Sequence, residues 1–166
     1  AADVVMTARY AALEPWWHRY DDTDRADALD RLALLGVDRL ADRPIGSLSS
    51  GEQQRVFLAR TLMNDPAVVL LDEPSARLDL GGREQLVGAL AEMAARRDGP
   101  PFVLVTHHVD EIPPGTTHAL LLRDGRTLES GLIDEVLTAE SLSACFGMHL
   151  SLERRPDGRF SGWATR

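Results

Sequence analysis

Asp72 and Glu73 stand side by side, directly after the apolar run Val68-Val69-Leu70-Leu71 and directly before Pro74. A continuous apolar run of this kind reads as a strand buried on both faces. Ligands of open α/β sheets sit at the carboxyl ends of such strands. An acidic pair placed there can divide labour. Asp72 can hold hydrated Mg²⁺, a cation that prefers oxygen ligands and keeps its waters. Glu73 can orient and deprotonate a water, a role that contributes roughly 10²–10⁴ in rate. Pro74 keeps Glu73 out of a helix. In isolation, Asp-Glu-Pro would read only as a solvated turn.

Two further segments bear on that pair. Upstream runs Leu48-Ser49-Ser50-Gly51-Glu52-Gln53-Gln54-Arg55. Ser49 with Glu52 fits a capping box, and Ser50 with Gln53 fits it equally well. Val56, Ala59, Leu62 and Met63 then suit one buried helix face. A helix start has free N–H groups and a partial positive charge, so it can hold a phosphate. Gly51 would let a ligand approach the backbone. A bare Ser-x-Gly-Glu is more often an ordinary cap, so the context carries the reading. Downstream, the apolar strand Phe102–Val105 ends at Thr106-His107-His108. His107 is expected at the same sheet edge as Glu73, where an imidazole can bond a terminal phosphate and the attacking water. His18, His108, His118 and His149 have no comparable support.

This ordered series resembles the second half of an ATP-binding cassette (ABC) ATPase. By that resemblance Leu48, Ser49, Ser50, Gly51 and Glu52 match the signature motif, and Val68 to Asp72 match Walker B. Glu73 matches the catalytic glutamate, Ser75 to Asp79 the D-loop with Ser75 and Asp79 near nucleotide, and His107 the switch histidine. The resemblance implies ATP and Mg²⁺. It also implies a head-to-tail homodimer in which each signature closes on the ATP of the partner cassette, docked on transmembrane permease subunits. The implied place is cytoplasmic, peripheral on the inner face of the membrane. The sequence departs from the pattern at Ser50 (frequently Gly), Glu52 (commonly Gln), Ser75 (frequently Thr) and His108 (often Asp); none of these removes a catalytic group.

A larger departure is the lack of any G-x-x-x-x-G-K-[ST] loop. There is no lysine, and all eighteen basic residues are arginine. Arginine's planar fork does not substitute for a phosphate-binding lysine. The motif order places the phosphate loop upstream of residue 1, so the chain is expected to be a C-terminal portion, inactive alone. The fold class expected is α/β: an incomplete P-loop NTPase (ABC) core with a parallel sheet and an α-helical signature subdomain, the phosphate-loop strand missing. The expected parts are 1–65 (helical signature subdomain), 66–150 (half-core with Walker B, D-loop and switch histidine) and 151–166 (tail). The strand at 102–106 should then show one unpaired edge.

The elements that position these residues are legible in outline. Thr23 can cap a helix whose face carries Ala26, Leu29, Leu32 and Ala33, with Gly36 as its stop. A helix near 82–96 carries Leu86, Leu90 and Met93. The β-α-β spacing predicts a parallel sheet. Asp124-Gly125 between apolar runs predicts a hairpin. From Ile133 onward two short helical patterns precede an Arg/Pro/Gly-rich tail. The net charge of −8 argues against a nucleic-acid surface. The single cysteine, Cys145, permits no internal disulfide, which suits a reducing compartment, and reads as a small buried residue. No apolar run approaches the roughly 18 residues of a membrane span.

Softer matches point within the family. Met6–Leu13, Leu40–Ile45, Leu121–Arg126 and Glu135–Thr138 resemble importers of iron-siderophores and cobalamin. Trp16, Trp17 and Tyr20 fit either a contact patch for a membrane partner or a small local core. Two other readings stay open: a soluble ABC protein of the DNA-maintenance or ribosome-associated kind, and a non-catalytic truncated module. Pro15, Pro44 and the absence of sustained heptads speak against the DNA-maintenance kind.

Overall fold

The computed structural model describes residues 1–10, 20–97 and 99–165. Trp16, Trp17 and His18 lie outside the described residues. The chain forms two compact units, Ala1–Val105 and Thr106–Arg166.

In the first unit, helices α1 (Ala2–Met6), α2 (Asp22–Leu34) and α3 (Ser50–Leu62) precede strand β1 (Val69–Asp72), helix α4 (Leu80–Ala95) and strand β2 (Phe102–Val105). The start of α2 differs from expectation. Its cap is Asp21, whose carboxylate accepts the Thr23 and Asp24 N–H groups at 2.9 and 3.0 Å, while the Asp24 carboxylate accepts the Asp21 N–H at 3.2 Å. Two carboxylates satisfy more orphan donors here than one Thr23 hydroxyl could, so the helix starts before Thr23. The buried face of α2 is also rotated from the expected one. Ala28, Leu32 and the capping Asp24 are buried, whereas Ala26 and Ala33 are exposed. The reason is Arg9, which pairs with Asp24 at 2.7 Å and also with Asp27, and so draws that side of α2 inward. The stop is as expected. Gly36 takes φ +64°, and the Gly36 and Val37 N–H groups return to the Ala33 and Leu32 carbonyls, closing a Schellman motif.

Strands β1 and β2 pair in parallel, with Val69 opposite Phe102 and Asp72 opposite Val105, and α4 forms the crossover. The burial pattern corrects the expected two-faced burial. Val69 is 1% exposed and belongs to the core that includes Leu62, Leu86 and Met93, but Leu70 is 73% exposed. Val103 and Val105 are exposed with it. Successive strand residues point to opposite faces, and among the described residues only one face of this sheet is covered. The far edge of β2 has no strand partner among the described residues, as expected. Tyr20 packs against the core, its ring 5.4 Å from that of Tyr10, which favours the local-packing reading for this residue.

The second unit contains β3 (His118–Arg123), β4 (Arg126–Leu132), α5 (Ile133–Val136), α6 (Ala139–Phe146), β5 (Leu150–Arg154) and β6 (Phe160–Ala164). The β3–β4 turn has Asp124 at φ +51° and Gly125 at φ +72°, the left-handed pair that a two-residue I′ turn demands. The expected Arg/Pro/Gly-rich tail is in fact an antiparallel hairpin, with Leu150 opposite Ala164 and Arg154 opposite Phe160. Leu150, Leu152 and Phe160 supply the apolar face that closes it onto Ile133, Leu137 and Leu142. Cys145 is half-buried rather than buried, its thiol directed to the Leu122 carbonyl at 3.3 Å. No helix among the described residues is long and apolar enough to cross a membrane.

Candidate functional site

The start of α3 is built by the Ser49–Glu52 pairing; the Ser50–Gln53 alternative is not formed. The Ser49 hydroxyl accepts the Glu52 N–H at 3.3 Å, and the Glu52 carboxylate accepts the Ser49 N–H at 3.0 Å. Gln53 instead donates to the Ile45 and Leu48 carbonyls at 3.2 and 3.0 Å, fastening the approach to the helix. The cap consumes the N–H groups of Ser49 and Glu52. Those of Ser50 and Gly51, in the first turn, have no intrahelical acceptor. Ser49 and Ser50 are exposed beside them, and Leu48 is buried beneath. Bonding to the Ser49 backbone, with Arg39 at 3.3 Å, holds the Glu52 carboxyl below its usual range.

Packing gives Gly51 a reason that is independent of any ligand. A Cβ on it would lie 2.9 Å from Gly82 Cα, in the first turn of α4. The two helix starts touch backbone to backbone, and neither has room for a side chain toward the other. Asp79 caps α4 by accepting the Gly82 N–H at 2.7 Å. The Leu48–Glu52 segment and the turn that ends at Asp79 are therefore joined within the first unit. Arg55 adds a second tie that the residue pattern did not reveal. It is buried, and its guanidinium donates to the Gly51 carbonyl at 3.3 Å, the Leu35 carbonyl at 3.4 Å and the Gln85 side chain at 2.7 Å. Burial pushes its pKa down. The doubled glycine at 81–82, inside a helix start, was the available sequence signal, since glycine there opposes helix propensity.

Asp72 is the last residue of β1, and the ladder continues one bond further, from the Glu73 N–H to the Val105 carbonyl at 2.9 Å. Glu73 then takes φ +42°. A non-glycine residue in left-handed backbone costs about 1–3 kcal/mol and is a feature of functional sites. Asp72 and Glu73 are both exposed, and Ser75 is buried in the turn that follows. His107, in the second unit, lies two residues after β2 in the chain. It is exposed, with its ring 4.0 Å from that of His108. Thr106 braces this segment. Its hydroxyl accepts the His108 N–H at 3.0 Å and donates to the buried Glu111 carboxylate at 2.6 Å. The donor types fit the expected ligands. Asp72 offers the exposed carboxylate oxygen that Mg²⁺ takes, and Ser50 and Gly51 offer the N–H groups that phosphate takes.

A parallel β-α-β unit whose first strand ends in Asp-Glu, with a serine-capped helix start lashed to the helix that follows, is consistent with an ATPase of the cassette class. Comparison with known proteins narrows this. Residues 2–76 match the family described as ABC transporter. The chain is 39% identical over 146 residues to the ABC transporter ATP-binding protein YlmA of Bacillus subtilis, covering 88% of this chain and 55% of that one. It is 33% identical over 136 residues to a metal transport system ATP-binding protein of Chlamydia trachomatis (82% and 51%). It is 42% identical over 106 residues to the molybdenum import ATP-binding protein ModC of Aromatoleum aromaticum (64% and 28%). Among solved structures, a metal-chelate-type ABC transporter in an inward-facing conformation matches with a TM-score of 0.79 at 24% identity, over 99% of this chain and 66% of that one. A dimeric ATP-binding cassette bound to ADP and Pi matches with a TM-score of 0.59 at 27% identity, over 78% and 54%. The chain belongs to the ABC transporter ATP-binding family. It spans 55% of YlmA and 51% of the chlamydial relative, about half of each.

Proposed function

We propose that the whole protein is the ATP-hydrolysing subunit of an ABC transporter, working as a head-to-tail dimer of cassettes beneath transmembrane permease subunits, on the cytoplasmic side of the membrane. The observation that carries this is the end of β1, where Asp72 closes the strand and Glu73 leaves it in left-handed backbone. Left-handed backbone at Glu73, directly after the carboxylate that ends the strand, turns the two side chains apart from the strand's alternation and suits a pair with separate tasks. Asp72 would hold Mg²⁺. Glu73 orients the attacking water and takes its proton. His107 donates to the terminal phosphate. Leu48, Ser49, Ser50, Gly51 and Glu52 form the cap that closes on the partner's ATP, and Ser75 and Asp79 shape the D-loop beside it. Bound magnesium supplies charge neutralisation for the phosphoryl group. In this reading residues 1–65 are the signature subdomain, 66–150 the half-core and 151–166 an appendage.

The cargo is a metal-containing solute, and iron-siderophore-type import is the specific form proposed. Two of the relatives are named for metal and molybdenum transport, and the segments Met6–Leu13 and Leu40–Ile45 resemble siderophore importers. The deciding experiment uses the full-length protein. Glu73→Gln should keep ATP affinity and lose hydrolysis by roughly 10²–10⁴, with the ATP-bound dimer accumulating in size-exclusion chromatography. Hydrolysis by Glu73→Gln at the parent rate would remove Glu73 as the base.

A further inference from the structure

We propose that the C-terminal hairpin β5–β6 is a positioning element for the His107 turn, with Arg159 as its positioning residue. The inference rests on the role proposed for His107. All of the contacts lie within the second unit. After His107 and His108 the chain makes a short 3₁₀ turn, Val109–Glu111, which β6 and the residue before it, Arg159, contact on two sides. On the apolar side, Val109 and Ile112 pack against the cluster that contains Phe160, Leu150 and Leu152. The fit is close: a Cβ on Gly162 would lie 3.1 Å from Val109 Cγ2. On the polar side, Arg159 is 9% exposed and donates to the Asp110 carbonyl at 2.5 Å.

Glu111, 5% exposed, closes the same turn by accepting the Thr106 hydroxyl, which in turn accepts the His108 N–H. A chain of contacts thus runs from the hairpin to the backbone on both sides of His107. Buried charged side chains are expensive unless they are bonded, and Arg159 and Glu111 each place a bond on this turn. Arg159 is itself held in place by the hairpin. Its N–H is accepted by Asp157 at 3.0 Å, and its carbonyl accepts the Arg155 N–H at 2.7 Å. An element that served only to lengthen the core would need Phe160 and the leucines but not these bonds.

The test uses the full-length protein with Arg159→Met, Arg159→Lys, Gly162→Ala and His107→Ala, reading ATPase kinetics and amide exchange. Arg159→Met should speed exchange of the Thr106–Glu111 amides. It should lower kcat roughly ten- to a hundredfold with KM for ATP within about twofold, the pattern of a misplaced transition-state group. Arg159→Lys, which can still donate to the Asp110 carbonyl, should recover most of both. If Arg159→Met does not fold, Gly162→Ala serves, because its methyl group pushes on Val109 while leaving the bonds intact. Unchanged exchange at 106–111, or a loss confined to KM, would overturn the inference. If His107→Ala hydrolyses ATP at the parent rate, the reading of His107 falls instead, and the exchange data still decide whether the hairpin holds the turn.

Discussion

At the scale of single residues, the cap of α3 illustrates how one charge can be tuned by its neighbours. Glu52 stands where the family more often has glutamine, and it accepts the Ser49 N–H that a glutamine could also satisfy. The carboxylate adds a contact with Arg39, and bonding to the Ser49 backbone holds its pKa below the usual carboxylate range. A carboxyl depressed on folding contributes stability that is present above its unfolded pKa and lost as pH falls through its folded one. The full-length protein should therefore be more stable than Glu52→Gln at pH 6–8, and the difference should disappear as acid titrates Glu52 below its usual range. Thermal melts of both proteins across that series check this. A gap that stays constant down to pH 3 would show that the charge is not what matters. That a capping box forms here was readable, because both candidate pairs lie within one turn; that Ser49–Glu52 forms it and Ser50–Gln53 does not was not. The role of Arg55 was not, because Leu35 and Gln85 are remote in sequence.

At the scale of elements, the junction of α3 with α4 shows that packing alone calls for glycine at position 51. Gly51 and Gly82 let two helix starts meet, and Asp79 and Arg55 pin the junction on either side. Gly51→Ala should destabilise the protein by about 1–3 kcal/mol, the range for overpacking a filled site. Gly88 lies exposed in the same α4 with nothing within 4 Å of an added Cβ. There the same change should stabilise by about 0.5–1 kcal/mol, from helix propensity and lost chain entropy. Urea unfolding of the two variants gives opposite signs if the contact is as described; equal effects would mean that the helices separate in solution. The element boundaries followed the same logic. Gly36, Asp124-Gly125 and the α4 face were legible because their signals are local. The first turn of α2 was misread because Arg9, in the turn after α1, pairs with Asp24 and Asp27 and selects which side faces inward. The β5–β6 hairpin was missed because Arg, Pro and Gly dominate its loop and mask the alternation of Leu150, Leu152 and Phe160.

At the scale of the whole chain, the apolar run Val68–Leu71 predicted a strand covered on both faces, and the structure covers one. Periodicity reports how much apolar surface a strand carries; it does not report which segment supplies the cover. Leu70, Val103 and Val105 leave a contiguous apolar strip on a two-stranded sheet whose β2 edge has free ladder positions among the described residues. Exposed apolar sheet with an open edge is a template for association with another chain. Produced as residues 1–166, the protein should self-associate with rising concentration. Leu70→Thr with Val103→Thr should suppress this, since threonine keeps β propensity while removing apolar surface. Because both sites are exposed, the melting temperature should move little, whereas the same substitution at Val69, buried at 1% exposure, should lower it clearly by placing a hydroxyl in the core. Light scattering against concentration, read beside melts of the three proteins, separates the two faces. If the double variant associates as strongly as the parent, the strip is not the contact, and the exposed leucines of the β3–β4 hairpin, Leu120 and Leu122, become the surface to test by the same substitution.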